Sequence, residues 1–295
     1  MKLSFTKMHG LGNDFVVIDD REAQWDFAPE AVTWLCDRNF GIGADGLMLV
    51  RNATLEGADF AWWFRNADGS VAEMCGNGIR CFAKFVVDRG LIPADQQTVL
   101  VETAIGVLSI DVTRAYDGTL HLATVDMGEP VLTPALVPTT LGCEQPNDPV
   151  VNCELVTDAG TVRVTCVSMG NPHCVLFVDD VAEAPVHTLG PVIENHPAFP
   201  NRTNVEFAEV DEAAGVIRLR VWERGCGETL ACGTGACATT VAAALNCRGG
   251  REATVELPGG QLAIRWAENG RVYMTGPATE VFRGEIDIPE DDEDA

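Results

Sequence analysis

At 295 residues and 46% hydrophobic content, the chain is long enough for two domains, each able to build its own core. No apolar run approaches the ~20 residues of a membrane-spanning helix. A formal charge of −24 argues against nucleic acid or an anionic membrane as partner, because both demand basic surfaces.

The opening segment, Met1-Lys2-Leu3-Ser4-Phe5, carries no long apolar stretch or small-residue cleavage site, so the expected location is cytoplasmic. Short alternating runs then predict strands near Leu3–Lys7 and Phe15–Asp19. A short helix is expected at Pro29–Arg38, opened by proline. Strands follow near Leu47–Arg51 and Phe60–Arg65. A helix is predicted from about Gly78 to Asp88, stopped by Gly90 and Pro93. Further strands are expected at Val99–Thr103, Val107–Asp111 and Leu120–Val125.

The halves are expected to meet near Asp126-Met127-Gly128-Glu129-Pro130. The Pro-rich stretch from Pro134 to Pro149 reads as a linker or surface excursion. Beyond it, strands are predicted at Cys153–Thr157, Thr161–Cys166, Cys174–Val178, Asn204–Glu209 and Val216–Val221. A second helix runs from Gly235 to about Asn246. Being apolar on every side, it belongs inside a layer of strands. Strands at Ala253–Leu257, Gln261–Trp266 and Val272–Thr275 complete the pattern, and Glu290 to Ala295 reads as a solvated acidic tail. Periodicity alone gives an α+β fold, with two domains of mostly antiparallel strands, each wrapped around a helix.

The two halves echo one another. Met74-Cys75-Gly76-Asn77-Gly78 recurs as Ala231-Cys232-Gly233-Thr234-Gly235, and Gly12-Asn13 recurs as Gly170-Asn171 at nearly the same separation. Such an echo indicates duplication, with one cysteine from each half. At a helix start, backbone N–H groups hold anions and lower a thiol pKa from about 8.5 toward neutrality. Two such thiols supply an acid and a base for proton exchange at one carbon.

At matched spacing before the cysteines stand Asn66 and Glu223. Arg224 offers a fork for a carboxylate, with a surface salt bridge as its alternative. Asn13 and Asn171 could serve ammonium and carboxylate groups together, or simply form turns. His173 reads as a loop histidine able to set the ionisation of a nearby thiol.

Several other signals carry less. Eleven cysteines without a Cys-x-x-Cys give weak redox or zinc signals; Cys36, Cys143, Cys153, Cys166 and Cys247 read as small buried hydrophobes. Gly41-Ile42-Gly43-Ala44-Asp45-Gly46 matches a dinucleotide fingerprint in letters only, since a helix precedes it and a strand follows. Pyridoxal phosphate would need a Schiff-base lysine. Lys2, Lys7 and Lys84 lack a phosphate cradle beside them, so no cofactor is expected.

Together, His9-Gly10-Leu11-Gly12-Asn13-Asp14-Phe15, the Cys75 segment, Gly170-Asn171-Pro172-His173 and the run Trp222 to Gly235 closely resemble diaminopimelate epimerase, from Lys2 to about Arg283. The resemblance implies two pseudo-symmetric domains, each a β-barrel-like sheet around a central helix, with the site between them and the final strand returning to the first domain. The expected boundaries are 1–126 plus 276–288, then 127–275, with 289–295 as tail.

It also implies interconversion of LL- and meso-diaminopimelate for lysine and cell-wall precursor synthesis, without metal or organic cofactor, by a homodimer. Cys75 and Cys232 match the catalytic pair. Asn13, Asn66, Asn171, Asn204, Glu223 and Arg224 match substrate-binding positions. Gly76-Asn77 and Gly233-Thr234 match the backbone cradles, while His173 and Glu223 match residues that tune the cysteines. Gly46 departs from the pattern, because many members carry Gln there.

Two other readings compete. Proline racemases and hydroxyproline epimerases share the two-cysteine plan but recognise one carboxylate, so Arg224 speaks against them. A thiolate metal or redox site would draw on Cys75, Cys81, Cys226, Cys232 and Cys237, at spacings poor for zinc.

Overall fold

The structure is a computed structural model and describes residues 2–71, 75–104, 106–142 and 147–288. The elements begin with β1 (Lys2–Gly10), β2 (Asn13–Asp19), α1 (Pro29–Cys36), β3 (Gly46–Asn52), β4 (Phe60–Asn66) and α2 (Gly76–Asp88). Next come β5 (Thr98–Thr103), β6 (Gly106–Arg114), β7 (Leu120–Asp126), β8 (Cys153–Thr157), β9 (Gly160–Ser168), β10 (Pro172–Phe177) and α3 (Val186–Glu194). The chain continues through β11 (Asn204–Asp211), β12 (Val216–Glu223), β13 (Gly227–Thr229) and α4 (Gly233–Leu245). It closes with β14 (Glu252–Leu257), β15 (Gly260–Trp266), β16 (Val272–Gly276) and β17 (Thr279–Asp287).

The chain divides into two compact units, Met1–Val125 with Pro277–Ala295, and Asp126–Gly276. In the first unit the strand order is β17-β1-β2-β3-β4-β5-β6-β7. Its pairings run antiparallel, antiparallel, parallel, antiparallel, parallel, antiparallel, antiparallel. The second unit has the order β8-β9-β10-β11-β12-β14-β15-β16 and repeats that sequence of pairings. Strand for strand, β17 therefore stands where β8 stands in the other unit. The fold is α+β and internally duplicated. The exposed, weakly alternating burial of β17 shows why period-two reading passes over it; only the resemblance anticipated a returning strand.

Each unit is built on one helix. Packed against β9, β10, β11, β12, β14, β15 and β16, α4 carries no charged side chain. Its two buried threonines satisfy themselves: Thr239 donates to the Gly235 carbonyl (2.7 Å) and Thr240 to that of Ala236 (3.0 Å). Packed against β1, β2 and β17, α2 instead buries the whole side chain of Arg80.

Three expectations need correction. The Pro134–Pro149 stretch is no mere surface excursion: Val137, just after a 3-10 turn at Pro134–Leu136, is wholly buried in the core of the second unit, as is Val150 directly after the stretch. The nine-residue helix α3 escaped notice because Gly190 and Pro191 sit inside it and Pro185 precedes it, which are residues that normally end helices. Of the cysteines read as buried, Cys36 and Cys166 are so, Cys247 is exposed, and Cys153 is half-buried and disulfide-bonded. Cys143, Met74 and the acidic tail fall outside the described residues.

Candidate active site

Both echoed cysteines are helix N-caps. Cys75 precedes α2 in extended backbone (φ −140°, ψ 105°), and its sulfur accepts the Gly78 N–H at 3.4 Å. Cys232 precedes α4 (φ −118°, ψ 110°), and its sulfur accepts the Gly235 N–H at 3.4 Å. Each sulfur takes the role a serine oxygen plays at an ordinary cap, and sits at the positive end of the helix. In both copies of Gly-Asn the glycine adopts a left-handed φ, 87° at Gly12 and 94° at Gly170. That conformation turns the chain so that the asparagine starts or precedes the next strand.

In the first unit Asn13, Cys75 and Asn77 come together. Asn13 Oδ1 accepts from Asn77 Nδ2 at 3.2 Å and lies 3.8 Å from Cys75 Sγ, which donates to it. Asn13 Nδ2 donates to Asp45 Oδ2 at 2.7 Å. Asn66 is held in its own turn, donating to Ser70 Oγ at 2.9 Å. At Gly46 a Cβ would lie 2.7 Å from the Phe64 ring, so no side chain can replace the absent Gln from that position.

Beside Asn13 lies a dense charge cluster. Asp14 pairs with the buried Lys7 at 2.6 Å and with Arg38 at 2.7 Å. Burial, the largest single effect, raises the Asp14 carboxyl, but hydrogen bonds from Arg38, Lys7 and Asp45 outweigh it and hold the group well below the usual carboxylate range.

In the second unit Asn171, His173, Thr234 and Cys232 converge. His173 is fully buried on β10, not on a loop as expected, with Nδ1 2.6 Å from Glu206 Oε1 and Nε2 2.9 Å from Asn171 Oδ1. Asn171 Nδ2 donates to Thr234 Oγ1 at 3.3 Å, and that hydroxyl lies 3.5 Å from Cys232 Sγ. Asn204 is buried and structural in its contacts: it donates to the Pro172 carbonyl at 2.8 Å and accepts the Arg224 N–H at 2.9 Å. Glu223 accepts from the Thr229 hydroxyl. The Arg224 guanidinium is exposed and donates to the Asn201 carbonyl at 3.2 Å; no carboxylate pairs with it among the described residues.

The ionisation of Cys232 differs from expectation. Burial pushes its thiol well above the ordinary value, and the Glu223 and Glu206 carboxylates push the same way. The Thr234 hydroxyl and the Gly235 N–H pull it back without overcoming them. Helix-start geometry is present, but desolvation of a nearly buried thiolate beside two carboxylates wins.

Three residues that sequence reasoning passed over matter here: Arg80, Asp45 and Glu206. Glu206 lies on β11 two residues from Asn204, hence on the same face, and this alternation was the available signal. Its Oε2 is buried without a hydrogen-bond partner, and burial raises its carboxyl despite His173. Of the thiols weighed for a metal site, Cys81 and Cys237 are buried and Cys226 is exposed. Among the described residues, no group of three or more His, Cys, Asp or Glu is placed to hold a metal. Among the described residues, no helix is long and apolar enough to cross a membrane.

The comparisons with known proteins agree with this architecture. A family model described as Diaminopimelate epimerase matches residues 5–133 and 165–281. Diaminopimelate epimerase of Leptospira biflexa is 50% identical over 288 residues, covering 98% of this chain and 100% of that protein. The enzyme of the same name from Heliobacterium modesticaldum is 50% identical over 294 residues, covering 97% and 100%. Among solved structures, a probable proline racemase from Agrobacterium radiobacter matches with a TM-score of 0.70 over 99% of this chain and 94% of its own, at 16% identity, which is a likeness of fold. With both cysteines capping duplicated helices and half of its residues shared end to end with these relatives, the chain belongs to the diaminopimelate epimerase family.

Proposed function

We propose that the protein interconverts LL- and meso-2,6-diaminopimelate by a two-base mechanism, with Cys75 and Cys232 as the exchanging groups and no metal or organic cofactor. The observation that carries the reading is the pair of sulfurs, each at the start of a buried helix and each accepting that helix's third N–H. One thiolate removes the α-proton, and the other thiol delivers a proton to the opposite face. The roles exchange for the reverse direction, Cys75 being donor and Cys232 acceptor in one of them.

The step is demanding, since each pK unit separating the α-carbon from the thiol costs about 1.4 kcal/mol. Backbone N–H groups at Gly76-Asn77 and Gly233-Thr234, aimed at the substrate carboxylate, offset part of this as negative charge develops. Asn13, Asn66, Asn171, Asn204 and Glu223 complete the substrate site in this reading. The Arg224 fork, with no carboxylate partner among the described residues, takes the second carboxylate that proline lacks. His173 and Glu223 tune the thiols.

In this reading the epimerase domains are bounded at 1–126 plus 276–288 and at 127–275, with 289–295 as an acidic tail. Homodimer assembly, a cytoplasmic location and a place in lysine and cell-wall precursor synthesis belong to it too. Cys75→Ser and Cys232→Ser are each expected to abolish epimerisation while leaving the melting temperature within a few degrees of wild type. The check is α-proton exchange with LL- and meso-diaminopimelate in deuterated water. Near-wild-type turnover in either variant rules the mechanism out, and turnover of proline instead of diaminopimelate rules out the substrate.

A further inference from the structure

Around Cys75 the hydrogen-bond directions are dictated by the groups at both ends of a chain. Arg80 is wholly buried on α2, and a guanidinium can only donate. Its Nη2 donates to Asn77 Oδ1 at 2.9 Å, its Nη1 to the Gly76 carbonyl at 3.0 Å, and its Nε to the Pro277 carbonyl at 3.1 Å. The Asn77 oxygen is thereby committed, so its Nδ2 must be the atom that meets Asn13 Oδ1 at 3.2 Å.

At the far end Asp45 is a carboxylate that can only accept. Its Oδ1 is pinned by Arg38 at 2.8 Å, while its Oδ2 receives the Asp14 N–H at 3.0 Å and Asn13 Nδ2 at 2.7 Å. Both ends demand the same orientation of the Asn13 amide, with nitrogen toward Asp45 and oxygen toward Asn77 and the Cys75 sulfur. The polarity is thus set by chemistry and not by an arbitrary choice between oxygen and nitrogen.

We propose that Arg80 and Asp45 are positioning residues that lock the Asn13 amide with its oxygen toward Cys75, so that the free enzyme holds Cys75 as a hydrogen-bond-donating thiol. The locked acceptor favours S–H over thiolate, because a thiolate there would meet an oxygen lone pair. The Gly78 N–H, 3.4 Å from the same sulfur, favours thiolate, and the locked acceptor offsets it, so Cys75 keeps its proton in the free enzyme. Among the described residues, the other charged or titratable groups of this neighbourhood are the buried Cys81 on α2 and Lys7 on β1, Asp14 on β2 and Arg38 after α1, the last three pairing with one another or with Asp45. The inference deepens the epimerase reading and rests on it for the role of this thiol, while the amide polarity stands on contacts within the first unit.

Since either end alone holds the amide, Asp45→Ala combined with Arg80→Lys tests the lock. Residue 45 then offers no acceptor to Asn13 Nδ2, and the lysine holds Asn77 without a fork. The Asn13 amide is then free to turn and offer N–H to the Cys75 sulfur. Alkylation of the intact protein with iodoacetamide at neutral pH, followed at each cysteine by peptide mass spectrometry, reads the thiolate. The expected result is an increase of about tenfold at Cys75 relative to Cys232 in the same protein.

That increase is expected to persist in 1 M NaCl, where screening acts beyond about 3 Å. No increase, or one that salt abolishes, overturns the lock, the latter marking a simple through-space loss of charge. Each single variant, with an unchanged melting temperature, is expected to raise the ratio less than the pair does, and a pair no different from Asp45→Ala alone overturns the role of Arg80. Alkylation needs no substrate, so failure here leaves the epimerase reading standing, whereas failure of the wild type to turn over diaminopimelate removes that reading alone.

Discussion

Glu206 shows how one buried side chain shapes a site. It is fully buried, its partner is His173, and its second oxygen has no hydrogen-bond partner. Burial raises its carboxyl above the ordinary 4.5. A carboxyl raised in the folded state binds its proton more readily folded than unfolded. The stability it contributes is full below 4.5 and is lost as pH climbs through the raised value. Glu206→Gln, which keeps a hydrogen bond to His173 but cannot ionise, is therefore expected to lose less melting temperature than wild type across the pH range above 4.5. Parallel melting curves across that range would show that Glu206 carries no such penalty. The residue types of the site were readable one by one, as Cys75, Cys232, Asn13, Asn171 and His173 were all picked from their motifs. Glu206, Arg80 and Asp45 were not: Glu206 and Asp45 act by touching residues far away in sequence, and Arg80, though close to Asn77 along α2, gives no sign in the letters that it is buried.

At the level of elements, the two cap helices are alike in sequence position and unlike in surroundings. A Cβ on Gly78 would meet Met48 at 3.4 Å and the Cys75 sulfur at 3.5 Å, which is ordinary contact. A Cβ on Gly235 would lie 3.0 Å from Glu206 Oε1 and 3.2 Å from the Cys232 sulfur, wedged between acid and thiol. Alanine is favoured over glycine within a helix by about 1 kcal/mol, so Gly78→Ala is expected to leave the melting temperature unchanged or higher. Gly235→Ala is expected to lower it and to slow α-proton exchange by on the order of tenfold or more, since it displaces the thiol itself. Differential scanning calorimetry beside the exchange assay decides, and equal behaviour of the two alanines would refute the distinction. The helices themselves were legible because apolar spacing and the Gly-x-Gly starts mark them. Helix α3 was not, since packing of Leu189 and Ile193 into the second core overrides the breaking tendency of Gly190 and Pro191.

On the scale of the whole molecule, charge dominates. With −24 net, self-repulsion opposes the compact state. Exposed pairs such as Lys2–Glu285 offset little, each contributing about 0–1 kcal/mol. Salt weakens both, but the excess of like charge is the larger effect. Raising NaCl from about 0.05 M to 1 M at neutral pH is expected to raise the melting temperature, as the screening length shrinks from more than 10 Å to about 3 Å. A melting temperature that falls with added NaCl would mean the local pairs outweigh the net charge.

From its letters alone the chain declares its duplication, its two cap cysteines and its α+β character, because each is written in local spacing: Gly-x-Gly turns, period-two strands and an all-apolar helix. Tertiary structure decided what spacing cannot encode. It placed β17 at the position that β8 holds in the other unit, buried Val137 in a stretch that read as linker, and set Glu206 against His173 and Arg80 against the Pro277 carbonyl. It also decided the ionisation of Cys232, since desolvation and neighbouring carboxylates depend on which side chains fold around a thiol and not on the turn that carries it.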